Sequence, residues 1–129
     1  MIALLDTNAY TAIMRGDDMM LRGLENSQAI LMASIVIGEL EYGFRYGNRY
    51  TANRRQLDIF LSQPFVSFLT ITRDTTRHYG QIMSALRAAG TKIPTNDAWI
   101  AALARENDAG LWTHDKHFDH IESIDVHRW

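Results

Sequence analysis

Residues 2–8 read IALLDTN: four apolar residues run directly into Asp6, Thr7 and Asn8. A short unbroken apolar run with a polar boundary is the pattern of a strand buried on both faces. Thr7 and Asn8 are helix-capping residue types, so a helix is predicted from Thr7 to about Met14. The same passage from apolar run to helix recurs along the chain. AILMA (29–33) is a second strand, and Ser34 caps the helical run SIVIGELEYGFRYG. FVSFLTI (65–71) is a third, followed by Thr72 as the cap of a long helix with Tyr79, Ile82, Met83 and Leu86 on its apolar face. Gly90 is the expected stop of that helix. DAWIAALAREND reads as helix, Gly110 ends it, LWT (111–113) is a fourth strand, and IDVHR offers a fifth. Further helical pieces are expected at Asp17–Glu25 and at Thr51–Ser62, the second stopped by Pro64. Strands alternating with helices predict an α/β fold, a three-layer α/β/α arrangement around a mainly parallel sheet of four to five strands. Its crossovers are expected to be right-handed. No linker or repeat interrupts the pattern, so one domain is expected over residues 1–129.

Composition narrows the function classes. With 47% hydrophobic and 22% charged residues among 129, the chain has the makings of a core and is not a disordered segment. No apolar run reaches the roughly 18–20 residues that cross a bilayer, and no basic segment of a secretion signal precedes the first strand. The chain has no cysteine, which excludes disulfides, thiolate metal sites and a cysteine nucleophile, and fits the cytoplasm. A formal net charge of −2 excludes a basic coat for duplex nucleic acid.

The acids carry the functional signal. Ligands of open α/β sheets bind beyond the carboxyl ends of the strands. Asp6 ends the first strand, and Asp115 lies two residues past LWT at the end of the fourth. Glu39 falls in the first or second turn of the helix after the second strand. Asp97 opens the helix that runs back to the fourth. Four carboxylates are thus expected at one edge of the sheet. Paired ionised carboxylates repel by roughly 4 kcal/mol at 4 Å for an effective dielectric of 20, and no lysine is tied to the group. A hard divalent cation offsets such repulsion, and oxygen ligands without thiolates favour Mg²⁺ or Mn²⁺ over zinc. Taken singly, each acid has a plainer reading as a cap, turn or solvated helix residue.

LLDTN, GELEYG, PTNDAWIAALA and LWTHDKHF, in this order and over essentially the whole chain, resemble the PIN-domain ribonucleases, and within them the VapC-type toxins of bacterial toxin–antitoxin pairs. The resemblance implies that Asp6, Glu39, Asp97 and Asp115 hold the metal, Mg²⁺ or Mn²⁺. Thr7 and Asn8 match the polar pair that orders the first acid, and Thr113 matches the hydroxyl two residues before the last. Asp119 is a candidate auxiliary acid one helical turn further on. The implied activity is endoribonuclease cleavage, often of tRNA or another structured RNA at a single-stranded loop. The implied partners are a small antitoxin and a second copy of the chain. Water activated by metal and attacking the phosphodiester in line leaves a 5′-phosphate and a 3′-hydroxyl.

The same residues admit other readings. A phosphoacceptor receiver domain needs an acidic neighbour beside Asp6 and an Asp after the third strand, where the chain has Ile71, Thr72 and Arg73. His114 and Asp115 spell the His-Asp pair of another phosphohydrolase class, but only His78 lies upstream of them to complete it. On this reading His117 is structural and His127 a surface residue. A metal-free module that only binds RNA or protein remains an alternative. Residues 41–55 place Arg45, Arg49, Arg54 and Arg55 among Tyr42, Phe44, Tyr46 and Tyr50. That mixture suits core aromatics with a basic face, a partner groove, or direct RNA contact.

Overall fold

The computed structural model describes every residue from Met1 to Trp129. Its strands are β1 (Ile2–Leu5), β2 (Ala29–Ala33), β3 (Val66–Leu69), β4 (Gly110–Trp112) and β5 (Asp125–His127). They form one sheet in the order β3-β2-β1-β4-β5 with every neighbouring pair parallel. The helices are α1 (Thr7–Met14), α2 (Asp18–Gly23), α3 (Ser34–Tyr46), α4 (Tyr50–Leu61), α5 (Arg73–Ala88) and α6 (Thr95–Glu106). Short 3₁₀ turns lie at Leu24–Asn26 and Lys116–His120. The expected three-layer α/β/α fold is what forms, and its sheet is wholly parallel, with residues 125–127 as the fifth strand.

The apolar runs are unbroken because β1, β2 and β4 are buried on both sides. Leu4, Leu5, Met32, Ala33 and Leu111 are sealed from solvent in one contiguous core. β3 is an edge strand, and its Ser67 and Phe68 are exposed. Two caps differ from expectation. Asp6, not Thr7 or Asn8, caps α1, its carboxylate accepting the Thr7 amide. Ala33 stands at the cap of α3 without a side-chain bond, and Ser34 is already the first helical residue. In the first case a single residue, Asp6, links strand to helix and becomes the cap; in the second the last strand residue, Ala33, does so with no linking residue at all. Thr72 does cap α5, in a reciprocal box with Thr75, and both hydroxyls reach Glu106 at the end of α6. Gly90 follows α5 with φ of +69°, a conformation that favours glycine there.

The strand order positions the site. From β1 the chain moves outward through β2 to β3, then returns to the other side of β1 for β4. The carboxyl ends of β1 and β4 therefore flank the point where the winding reverses, the usual ligand crevice of such sheets.

Candidate metal centre

Asp6 follows β1 and is 6% exposed. Its backbone amide donates to the Trp112 carbonyl, so the last turn of the β1–β4 ladder fixes it. Its Oδ1 accepts the Thr7 amide at 2.7 Å, and its Oδ2 accepts the Thr113 hydroxyl at 2.8 Å. That hydroxyl also accepts the Asp115 amide at 2.9 Å. Thr113 thus ties Asp6 to the loop that carries Asp115. Asn8, matched to the polar pair, is exposed and makes no bond to Asp6.

Asp97 projects from the first turn of α6 and is 8% exposed. Asp115 caps the 3₁₀ turn that follows β4, accepting the His117 amide on Oδ1 at 2.9 Å. The His117 ring stands between the two acids. Its Nδ1 lies 3.0 Å from Asp97 Oδ2 and 3.0 Å from Asp115 Oδ1. One ligand atom from each of Asp97, Asp115 and His117 falls within 4.8 Å of the others. Glu39, on the second turn of α3, is half-buried, and its Oε1 is sealed from solvent with no hydrogen-bond partner.

The electrostatics show the crowding. Burial first, and the Asp115 charge among lesser causes, raises Asp6 above the ordinary carboxylate value, while bonds from Thr113 and Thr7 pull the other way. Burial, then the charges of Asp6 and Asp97, raises Glu39. Burial, opposed by the His117 bond, raises Asp97. Burial is the main cause for all three, neighbouring carboxylate charges add to it, and His117 offsets it only at Asp97. An unpartnered Glu39 oxygen and a mostly oxygen donor set fit a hard divalent cation.

The four sequence-predicted acids and Thr113 therefore come together, and Thr7 contributes through its amide. Asp119 does not join them. Its carboxylate takes Arg128 at 2.7 Å, and the same guanidinium nitrogen donates to the Asp115 carbonyl at 3.1 Å. His117, expected to be structural, faces both Asp97 and Asp115; its spacing of two from a capping Asp is the signal in the sequence. His127 is not a plain surface residue either, since its ring stacks on Trp112 with centroids 5.0 Å apart. In the 41–55 segment, Glu41 binds Arg45, Arg54 and the Tyr50 hydroxyl. That leaves Arg49 and Arg55 unpaired, with Tyr42 at 74% and Tyr46 at 87% exposure. No helix is long and apolar enough to cross a membrane.

Comparison with known proteins agrees with this geometry. The PIN-domain profile matches residues 3–124. Ribonuclease VapC2 of Rickettsia felis is 33% identical over 134 residues, covering 100% of this chain and 98% of the relative. The crystal structure of VapBC2 from Rickettsia felis bound to a DNA fragment from their promoter superposes with a TM-score of 0.86 at 32% identity, covering 100% of this chain and 99% of that one. VapBC-1 from nontypeable Haemophilus influenzae gives 0.84 at 26% identity, covering 100% and 98%. With its acids gathered at the switch point and its whole length matched, this chain belongs to the PIN-domain family, in the group of the VapC ribonucleases.

Proposed function

We propose that this protein is a divalent-metal-dependent endoribonuclease, the toxin of a toxin–antitoxin pair. The observation that carries the reading is the convergence of Asp6, Glu39, Asp97 and Asp115, three of them raised in pKa, with an unpartnered buried oxygen on Glu39. The relatives named ribonuclease VapC, and the VapBC complexes it resembles, support RNA as substrate and a small antitoxin as partner.

Asp97, Asp115 and Asp6 would hold the cation, with Glu39 closing the site. A divalent ion bound there supplies Lewis acidity that activates water and offsets charge on the phosphodiester. Mg²⁺ or Mn²⁺ suits the oxygen donors. The chain's own part is positioning. Thr113 and the Thr7 amide hold both Asp6 oxygens, so Asp6 keeps one orientation. The Asp115 backbone is held by Thr113 on one side and by Arg128, which donates to its carbonyl at 3.1 Å, on the other. His117 keeps Asp97 and Asp115 apart at a fixed spacing. Attack by water, and not by a ribose hydroxyl, gives 5′-phosphate and 3′-hydroxyl ends.

Cleavage of total tRNA with Mg²⁺ or Mn²⁺, against EDTA and Asp97→Asn, tests this with fragment ends mapped. Metal-dependent cuts lost in the variant are expected. A 2′,3′-cyclic phosphate end would exclude the mechanism, and a protein that neither cuts RNA nor binds metal would be a silent binding module.

A further inference from the structure

A cleft of about 190 Å³ opens beside the metal centre, and none of the steps above uses it. Thr7, Asn8, Thr11 and Arg15 of α1 and its cap line one side, and His114 with Trp129 the other. Both walls are continuous with the acids. Thr7 directly follows Asp6, and His114 directly precedes Asp115.

The His114 imidazole lies on the Trp129 indole, with centroids 3.6 Å apart and planes inclined by 21°. Its Nε2 is 3.2 Å from the Trp129 carbonyl oxygen, which fixes the ring in place. Trp129 is half-buried against the core and His114 is exposed, so the imidazole is the outer ring of the stack. A surface ring pinned in this way presents a fixed π-face. Across the cleft Arg15 is exposed and forms no ion pair, unlike Arg45, Arg54, Arg77 and Arg128. A flat ring platform facing a free guanidinium is a combination suited to a nucleobase and its phosphate. The cleft has room for one ring system and not for a helix, and a base paired within an RNA duplex cannot enter it.

We propose that this cleft is a nucleotide subsite. One unpaired RNA base stacks on His114, Arg15 holds its phosphate, and the adjoining phosphodiester is thereby seated at Asp6 and Asp115. The proposal rests on the ribonuclease reading and adds the residues that register a single-stranded substrate beside the acids.

The test separates binding from cleavage by using the Asp97→Asn protein. The probe is a single-stranded hexaribonucleotide of mixed sequence carrying 2-aminopurine at one position at a time. Its emission is expected to quench on binding. His114→Ala and Arg15→Gln should each weaken binding about tenfold, and His114→Phe should restore most of the loss because it keeps the ring. The matching duplex should not compete. In the cleaving protein, His114→Ala should raise KM far more than it changes kcat. Both side chains are exposed, so neither change empties the core. Unchanged binding and quenching in His114→Ala and Arg15→Gln would overturn the subsite while leaving the nuclease reading intact. A loss that His114→Phe does not restore would overturn stacking as its cause. A parent protein that neither cuts nor binds RNA would overturn both readings.

Discussion

Thr113 bridges two strands' worth of acid chemistry with one hydroxyl: it donates to Asp6 Oδ2 at 2.8 Å and accepts the Asp115 amide at 2.9 Å. The side chain is wholly buried at the carboxyl end of β4, so its geometry is set by packing. Valine has nearly the same shape and neither bond. Thr113→Val should leave the fold intact, push Asp6 further upward, and cut kcat by about tenfold to a hundredfold, the usual cost of losing a partner that orients a metal ligand. Thr113→Ser should recover most of the rate. Steady-state cleavage kinetics with both variants checks this.

His117 offers the centre its one nitrogen. Its Nδ1 is 3.0 Å from an oxygen of Asp97 and 3.0 Å from one of Asp115. Octahedral bonds of about 2.1 Å place adjacent ligands about 3.0 Å apart. The nitrogen therefore stands at a neighbouring-ligand spacing from each acid, and the three residues' ligand atoms fall within 4.8 Å of one another. Imidazole favours transition metals over Mg²⁺. His117→Ala should weaken Mn²⁺ binding more than Mg²⁺ binding in calorimetry, and nitrogen coupling to bound Mn²⁺ should vanish from the electron-spin-echo spectrum. Equal losses for both metals, with no nitrogen coupling in the parent, would confine His117 to hydrogen bonding.

The raised acids predict how stability follows pH. A carboxylate whose pKa is higher folded than unfolded stabilises the protein fully below its unfolded value, and that contribution is lost as pH rises through the folded value. Asp6, Glu39 and Asp97 all shift upward, facing one another, Asp115 and the His117 ring. In EDTA, their contribution should make the protein melt lower as pH climbs from about 4. A divalent cation binds the ionised acids, so the rise in Tm on adding Mn²⁺ should grow over the same interval. Asp97→Asn should raise the metal-free Tm near neutrality and abolish most of the Mn²⁺ effect. Thermal melts with and without metal across this pH range decide it.

Gly23 tests the packing behind the site. A Cβ there would lie 2.7 Å from two ring carbons of Trp112, which is 4% exposed and cannot swing away. Glycine to alanine in a helix normally stabilises by about 0.5–1 kcal/mol. Here overpacking should reverse the sign and cost about 1–3 kcal/mol. Because Trp112 precedes Thr113, activity should fall as well. Denaturant melts and cleavage assays on Gly23→Ala measure both.

Asp119 should prove dispensable for cleavage. Its carboxylate is spent on Arg128 at the surface, 2.7 Å away and half exposed. Asp119→Ala should change kcat by less than about threefold and stability by no more than about 1 kcal/mol, the range of exposed ion pairs.

Most of the architecture was legible in the order of residues. Short apolar runs punctuated by capping residues specify strand and helix through local sterics and hydrogen bonding, so the layered α/β fold and the rim positions of Asp6, Glu39, Asp97 and Asp115 followed from Ile2–Asn8 and its echoes downstream. Helix stops such as Gly90 followed too, because a positive φ is a local demand. The tertiary structure alone decided what depends on contacts between distant residues. Thr113 meets Asp6 only because β4 lies beside β1. His117 reaches Asp97 only because the 3₁₀ turn after β4 folds under the start of α6. Asp119 turns to Arg128 just past β5, and His114 lies on Trp129 because β4 and β5 pair with Trp112 opposite His127. A side chain's residue type and spacing record its local geometry. Which charge it faces, and which ring it covers, is set by the register of strands far apart in the chain.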